Sequence, residues 1–94
     1  MPNGRIVDIP ERDLLKRQIA HLGEDTQNSI LARVGRVLNA ARYTRSTPPT
    51  EDEFLLMIRN IPLYVLNRDS ANNCRHAMRL YMTAVYGHDD RSDR

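Results

Sequence analysis

Ile30, Leu31, Val34, Val37, Leu38 and Ala41 recur at spacings of three and four residues. At about 100° per residue these side chains share one stripe, the pattern of an α-helix with one buried face. No clearer periodic signal occurs in the chain. It predicts a helix from Asp25 or Thr26 to near Tyr43. Gly35 falls inside it, at a cost of about 1 kcal/mol relative to Ala. A close contact with another helix beside the stripe is the expected reason for that glycine.

The same period recurs on both sides. Leu14, Leu15, Ile19 and Leu22 predict a first helix over Pro10 to Leu22. Asp8 and Glu11 have the spacing of a capping box, Pro10 suits a first turn, and Gly23 suits the residue after the helix. Thr44 to Pro49 reads as a stiff connector, because its two prolines cannot continue a helix. Thr50 and Glu53 form a second capping box, and Glu51, Asp52 and Glu53 complement the dipole of a third helix. Phe54, Leu55, Ile58 and Ile61 form its expected buried face, with Pro62 ending or kinking it near Asn60.

Ile61 to Leu66 is short and apolar and fits either a strand or a short buried helix. A strand needs a partner, and Arg5 to Ile9 is a weak one, so a helix over Leu63 to Asn67 is the expectation. Asp69 or Ser70 is expected to cap the last helix, which runs to about Tyr86 and stops at Gly87. Cys74, Ala77, Met78, Tyr81 and Val85 give its core face, with Leu80 and Met82 on either side. So wide an apolar arc suits a central helix or one that also meets a partner. Residues 88–94 read as a disordered polar tail.

These elements predict an all-α fold, a compact single-domain bundle of four to five helices over residues 1–87. Leu, Ile, Val and Phe supply 22 of the 94 residues, above the roughly 20% floor for ordered chains. No apolar run approaches the ~18 residues of a membrane helix. The first residues lack the charged-then-apolar order of a signal peptide. One cysteine, Cys74, leaves no internal disulfide framework and no multi-cysteine zinc site. The expectation is a soluble intracellular protein, cytoplasmic or associated with a nucleoid or nucleus.

The net charge of +2 hides a strong segmentation. Residues 26–50 carry Arg33, Arg36, Arg42 and Arg45 with no acid, and residues 54–86 carry Arg59, Arg68, Arg75 and Arg79 against Asp69 alone. The acidic run Glu51-Asp52-Glu53 separates these two basic blocks. Thirteen of the fourteen basic side chains are Arg, the side chain suited to planar contact with phosphate or carboxylate. A GC-rich genome explains such a bias equally well.

On the last helix Asn72, Arg75, His76, Arg79, Thr83 and Tyr86 project away from Cys74 and Tyr81. Arg and Asn read base edges, and Arg and His contact phosphates. An ordinary solvated face has the same pattern. On the second helix Ser29, Arg33, Arg36 and Tyr43 flank the core stripe. A helix-turn-helix fits poorly, because Glu24 and Asp25 make its turn acidic, and simple antiparallel packing of the first two helices explains that turn better.

Catalysis has little support. His21, His76 and His88 are far apart in sequence, Cys74 is on a core stripe, and no glycine-rich phosphate loop is present. His88, Asp89, Asp90 and Asp93 suit a solvated tail more than a metal site. No cofactor, small-molecule substrate or membrane is expected. Two functions follow. The first is a non-enzymatic nucleic-acid-binding regulator of DNA or RNA, using Arg33, Arg36, Arg42, Asn72, Arg75, His76 and Arg79. The alternative is a small protein-interaction module, such as a regulator or a viral or phage accessory protein. It would bind a protein partner or a second copy through an apolar face with Leu80, Met82 and Tyr86.

Overall fold

The computed structural model describes residues 9–87. Within them lie four helices: α1 (Arg12–Gln18), α2 (Glu24–Ala40), α3 (Glu51–Tyr64) and α4 (Arg68–Tyr86). The fold is all-α, and the described residues contain no strand. The expected polar tail and the cap at Asp8 lie outside the described residues.

Helix α4 is central. The other three helices all pack on it, and α2 and α3 touch one another more lightly. Its buried residues Ala71, Cys74, Ala77, Met78 and Tyr81 meet Leu15 and Ile19 near α1, Val34, Val37 and Leu38 from α2, and Phe54, Met57, Ile58 and Ile61 from α3 in one core. The width of the apolar arc on α4 follows from this position. Leu80, Met82 and Val85 are partly buried against the same core. Helices α1 and α2 do not form the expected antiparallel pair, because α1 packs on α4 instead.

The helix boundaries show which local signals hold. At α3, the Glu53 N–H donates to Thr50 Oγ1 at 3.2 Å and the Thr50 N–H donates to Glu53 Oε1 at 2.8 Å, the expected capping box. Gly87 ends α4 in the left-handed region at φ 69°. Other boundaries move. Helix α1 starts at Arg12 rather than Pro10, with Glu11 left-handed at φ 57° before it. Gly23 begins α2 rather than closing α1. Asn67, not Asp69 or Ser70, caps α4, its Oδ1 accepting from the Ser70 N–H at 2.9 Å.

Two further expectations fail at α3. Helix α3 runs through Pro62 to Tyr64, so no separate helix exists over Leu63 to Asn67. Ile61 and Val65 are buried one turn apart, and the Val65 N–H donates to the Ile61 carbonyl at 2.8 Å. That burial holds the last turn on the core, while the Pro62 ring faces solvent. Met57 is buried where Leu55 was expected, and Leu55 is exposed.

Gly35 has no close helix contact. A Cβ built there meets nothing within 4 Å. Gly35→Ala is therefore expected to stabilise the protein by about 0.5–1 kcal/mol, the helix-interior difference between the two residues. Urea denaturation checks this: a raised midpoint with an unchanged slope is the expected result.

Candidate nucleic-acid interface

The acids of the described chain are all placed at helix starts. Glu11 precedes α1 and Asp13 is in its first turn; Glu24 and Asp25 open α2, Glu51, Asp52 and Glu53 open α3, and Asp69 opens α4. There they complement the positive end of each helix dipole. The basic side chains follow no matching rule, since the last turns of α2, α3 and α4 hold none.

Among the described residues the one ion pair joins Arg45 to Glu53. The Arg45 guanidinium also lies over the Tyr43 ring, 4.8 Å from its centroid. The Tyr43 hydroxyl donates to the Thr47 carbonyl, which ties down the connector between α2 and α3. The hydrogen bond from the Thr50 backbone, and then that from Arg45, hold the Glu53 carboxyl below the usual range. A carboxyl depressed in the folded state contributes stability that is present above the unfolded pKa and is lost as pH falls through the folded pKa. Glu53→Gln is accordingly expected to lower the melting temperature at pH 7, and the gap between wild type and variant closes only as pH falls through the depressed titration of this carboxyl, below the ordinary carboxylate range. A constant difference down through that titration would show that ionisation of Glu53 contributes nothing.

Arg33, Arg36, Arg42, Arg75 and Arg79 have no carboxylate partner among the described residues. Arg36, Arg42 and Arg79 are exposed, while Arg33 and Arg75 are partly covered. Helices α2 and α4 pack on one another through their buried faces, and Arg36 and Arg79 lie on the outer sides of those helices. On α4, Arg75 Nη1 donates to Asn72 Oδ1 at 2.6 Å. This fixes the guanidinium one turn along from Asn72. It also occupies the amide oxygen that a two-point contact with adenine uses. His76 is exposed, about 100° round the helix from Arg75.

Arg68 belongs to the same stripe and was missed from the sequence. Arg68, Asn72, Arg75 and Arg79 follow spacings of four, three and four, which puts them on one helix face. Placing the helix start at Asp69 or Ser70 left Arg68 outside the helix. The Asn67 cap was the signal that could have included it.

Arg42 has a distinctive backbone. It follows α2 in the left-handed region at φ 59°. Its N–H donates to the Asn39 carbonyl and the next N–H, of Tyr43, donates to the Leu38 carbonyl, the Schellman arrangement that normally uses glycine. Arg42 lines a cleft of about 600 Å³ together with Asn39, Thr44, Arg45 and Ser46. Ile9, Pro10 and Tyr43 also line it, and the Arg45 guanidinium is paired with Glu53, so Arg42 brings the unpaired cation to this recess at the edge of α2.

The remaining expected residues are placed otherwise. Tyr86 lies at the end of α4, its hydroxyl donating to the Pro49 carbonyl at 2.7 Å and its ring edge-on to Phe54. Burial, and then the nearby Glu51 and Glu53, raise its phenol above the ordinary value. Cys74 is a buried free thiol. No group of His, Cys, Asp and Glu able to hold a metal occurs among the described residues. No helix among them is long and apolar enough to cross a membrane. In comparisons with known proteins, no family model matches the chain, and no curated protein or solved structure was found to be similar to it.

Proposed function

We propose that this chain is a non-enzymatic regulatory protein that binds the phosphate backbone of DNA or RNA. Arg33, Arg36, Arg42, Arg75 and Arg79 are its central contacts, with Asn72 and His76 beside them. One observation carries the reading: the described acids are confined to helix starts, while these five arginines have no carboxylate partner among the described residues. Unneutralised guanidinium groups on two touching helices set up a local positive field although the total charge is near zero. Arg68 extends the same stripe on α4. The Arg75–Asn72 hydrogen bond preorganises one contact, which lowers the entropy lost on binding.

Arg42 supplies a separate argument. Glycine at this left-handed position would relieve roughly 1–2 kcal/mol of backbone strain. An exposed, unpaired side chain held in that conformation at the rim of a cleft fits a role in binding better than a role in folding.

The test is fluorescence anisotropy with duplex DNA, single-stranded DNA and RNA over a salt series. Five phosphate contacts predict a log–log salt slope near −4.5 for duplex DNA and near −3.5 for a single strand. Arg75→Ala with Arg79→Ala is expected to reduce the duplex slope by about 2 and to weaken binding at low salt by tenfold or more. Arg42→Gly is expected to raise the melting temperature while reducing the duplex slope by about 1. No binding at low salt, or a double variant that binds as tightly as wild type, overturns the reading.

A further inference from the structure

Helix α3 is apolar on both sides. Phe54, Met57, Ile58 and Ile61 are buried against the core. On the opposite side Leu55 is 51% exposed, Leu56 57% and Leu63 76%, and Leu66 just beyond the helix is 91% exposed. A single exposed leucine calls for no explanation, but Leu55 and Leu56 side by side, with Leu63 and Leu66 beyond Arg59, form an apolar surface of the kind that meets a partner. This patch is on a different helix from the α4 face with Leu80 and Met82, which the core partly covers.

The charges on this face identify the partner. At about 100° per residue Asp52, Leu55, Leu56, Arg59 and Leu63 lie within an arc of about 100°. In chain order the face reads acid, two leucines, base, leucine. Neither Asp52 nor Arg59 has an ion-pair partner among the described residues. They are two turns apart, about 10.5 Å along the axis, too far to pair within the helix. A second α3 laid antiparallel, with a two-fold axis between Leu55 and Leu56, matches this order. Leu55 then faces the copy's Leu56, and Asp52 faces the copy's Arg59 on both sides of the axis. Leu63 falls opposite Pro48 of the copy, and Glu51 opposite Asn60. A parallel pair would instead set Asp52 against Asp52 and Arg59 against Arg59.

We propose that α3 is the interface of an antiparallel homodimer, four central leucines flanked by two Asp52–Arg59 ion pairs. The interface is isologous, each residue meeting the partner it is met by. The leucines supply the affinity, and the charges set direction and register, as exposed ion pairs generally do. The paired faces are short, about 15 Å of helix, so the expected dissociation constant is on the order of micromolar. The dimer shares no residue with the arginine surface and stands or falls independently of nucleic-acid binding.

Analytical ultracentrifugation of the full chain, from about 1 μM to about 1 mM, tests it. Wild type is expected to pass from monomer to dimer in that range. Leu55→Ser with Leu56→Ser is expected to remain monomeric with an unchanged far-ultraviolet circular dichroism spectrum, since both side chains face solvent in the monomer. Asp52→Arg alone and Arg59→Asp alone are each expected to weaken self-association tenfold or more. Mixing these two variants restores the dimer, because each chain then meets its complement. The combined variant Asp52→Arg with Arg59→Asp restores it within one chain. A wild-type monomer throughout, a leucine variant that still dimerises, or single reversals that leave the dissociation constant unchanged each overturn the proposal.

Discussion

Phe54→Ala is expected to lower stability by about 3–5 kcal/mol, the usual cost of removing a buried aromatic ring. The Phe54 ring is fully buried on α3 and meets Tyr81 edge-on with centroids 5.0 Å apart and Tyr86 edge-on at 6.0 Å. Edge-to-face pairs add to the burial energy, because the positive ring edge meets the negative ring face. One truncation thus opens a cavity and removes two aromatic contacts at the junction of α3 and α4. A domain of this size has roughly 5–14 kcal/mol in total, so the loss is a large share of it. At about 4–8 °C per kcal/mol, the melting temperature should fall by about 12 °C or more. Thermal unfolding followed by circular dichroism checks this. Leu66→Ala is the control: nine-tenths exposed, it should change stability by less than about 0.5 kcal/mol. Similar losses for the two variants would show that the α3 register is wrong.

Tyr81→Phe is expected to lower stability by about 1–3 kcal/mol although it removes a single oxygen. The Tyr81 hydroxyl donates to the Pro10 carbonyl at 2.7 Å, a buried bond across 71 residues of sequence. Phenylalanine leaves that buried carbonyl without its donor, the costly half of losing a hydrogen bond. The effect should concentrate on α1, whose seven residues are too few to form a helix alone. Hydrogen exchange should accelerate over residues 12–19 by about tenfold or more, the equivalent of 1.4 kcal/mol, and much less over α2. Absorbance titration gives a second readout. Burial pushes the Tyr81 phenol above its ordinary value of 10.0, as it does that of Tyr86, so Tyr81→Phe should remove one of the late steps in tyrosine ionisation. Uniform exchange across the helices would show that the bond does not anchor α1.

The reach of local sequence signals is visible residue by residue. Ile30, Val34, Val37 and Leu38 are the buried residues of α2, all members of the stripe read from spacing alone. The Thr50–Glu53 capping box and the stop at Gly87 also form as expected, because each is satisfied by residues within one helical turn. Pro62 is different. Its propensity to end a helix is local, but the burial of Ile61 and Val65 against α4 outweighs it. The exchange of Leu55 for Met57 on the buried face has a similar origin. Both are apolar, and the direction in which α3 meets α4 decides which one is covered. Arg68 was lost from the candidate interface through a misplaced cap, since Asn67, Asp69 and Ser70 are all acceptable first residues.

Residue spacing and end-capping signals suffice to show that this chain is helical and roughly where its helices lie, and the order of charges shows that its acids and arginines occupy different segments. Periodicity and capping act over a few residues, so they can be read one window at a time. The central place of α4, the partial cover over Leu80 and Met82, and the outward-facing leucines of α3 and its C-terminal end emerge from long-range packing. Burial belongs to the whole packing arrangement: an apolar side chain is hidden or exposed according to what other segments, distant in sequence, bring against it.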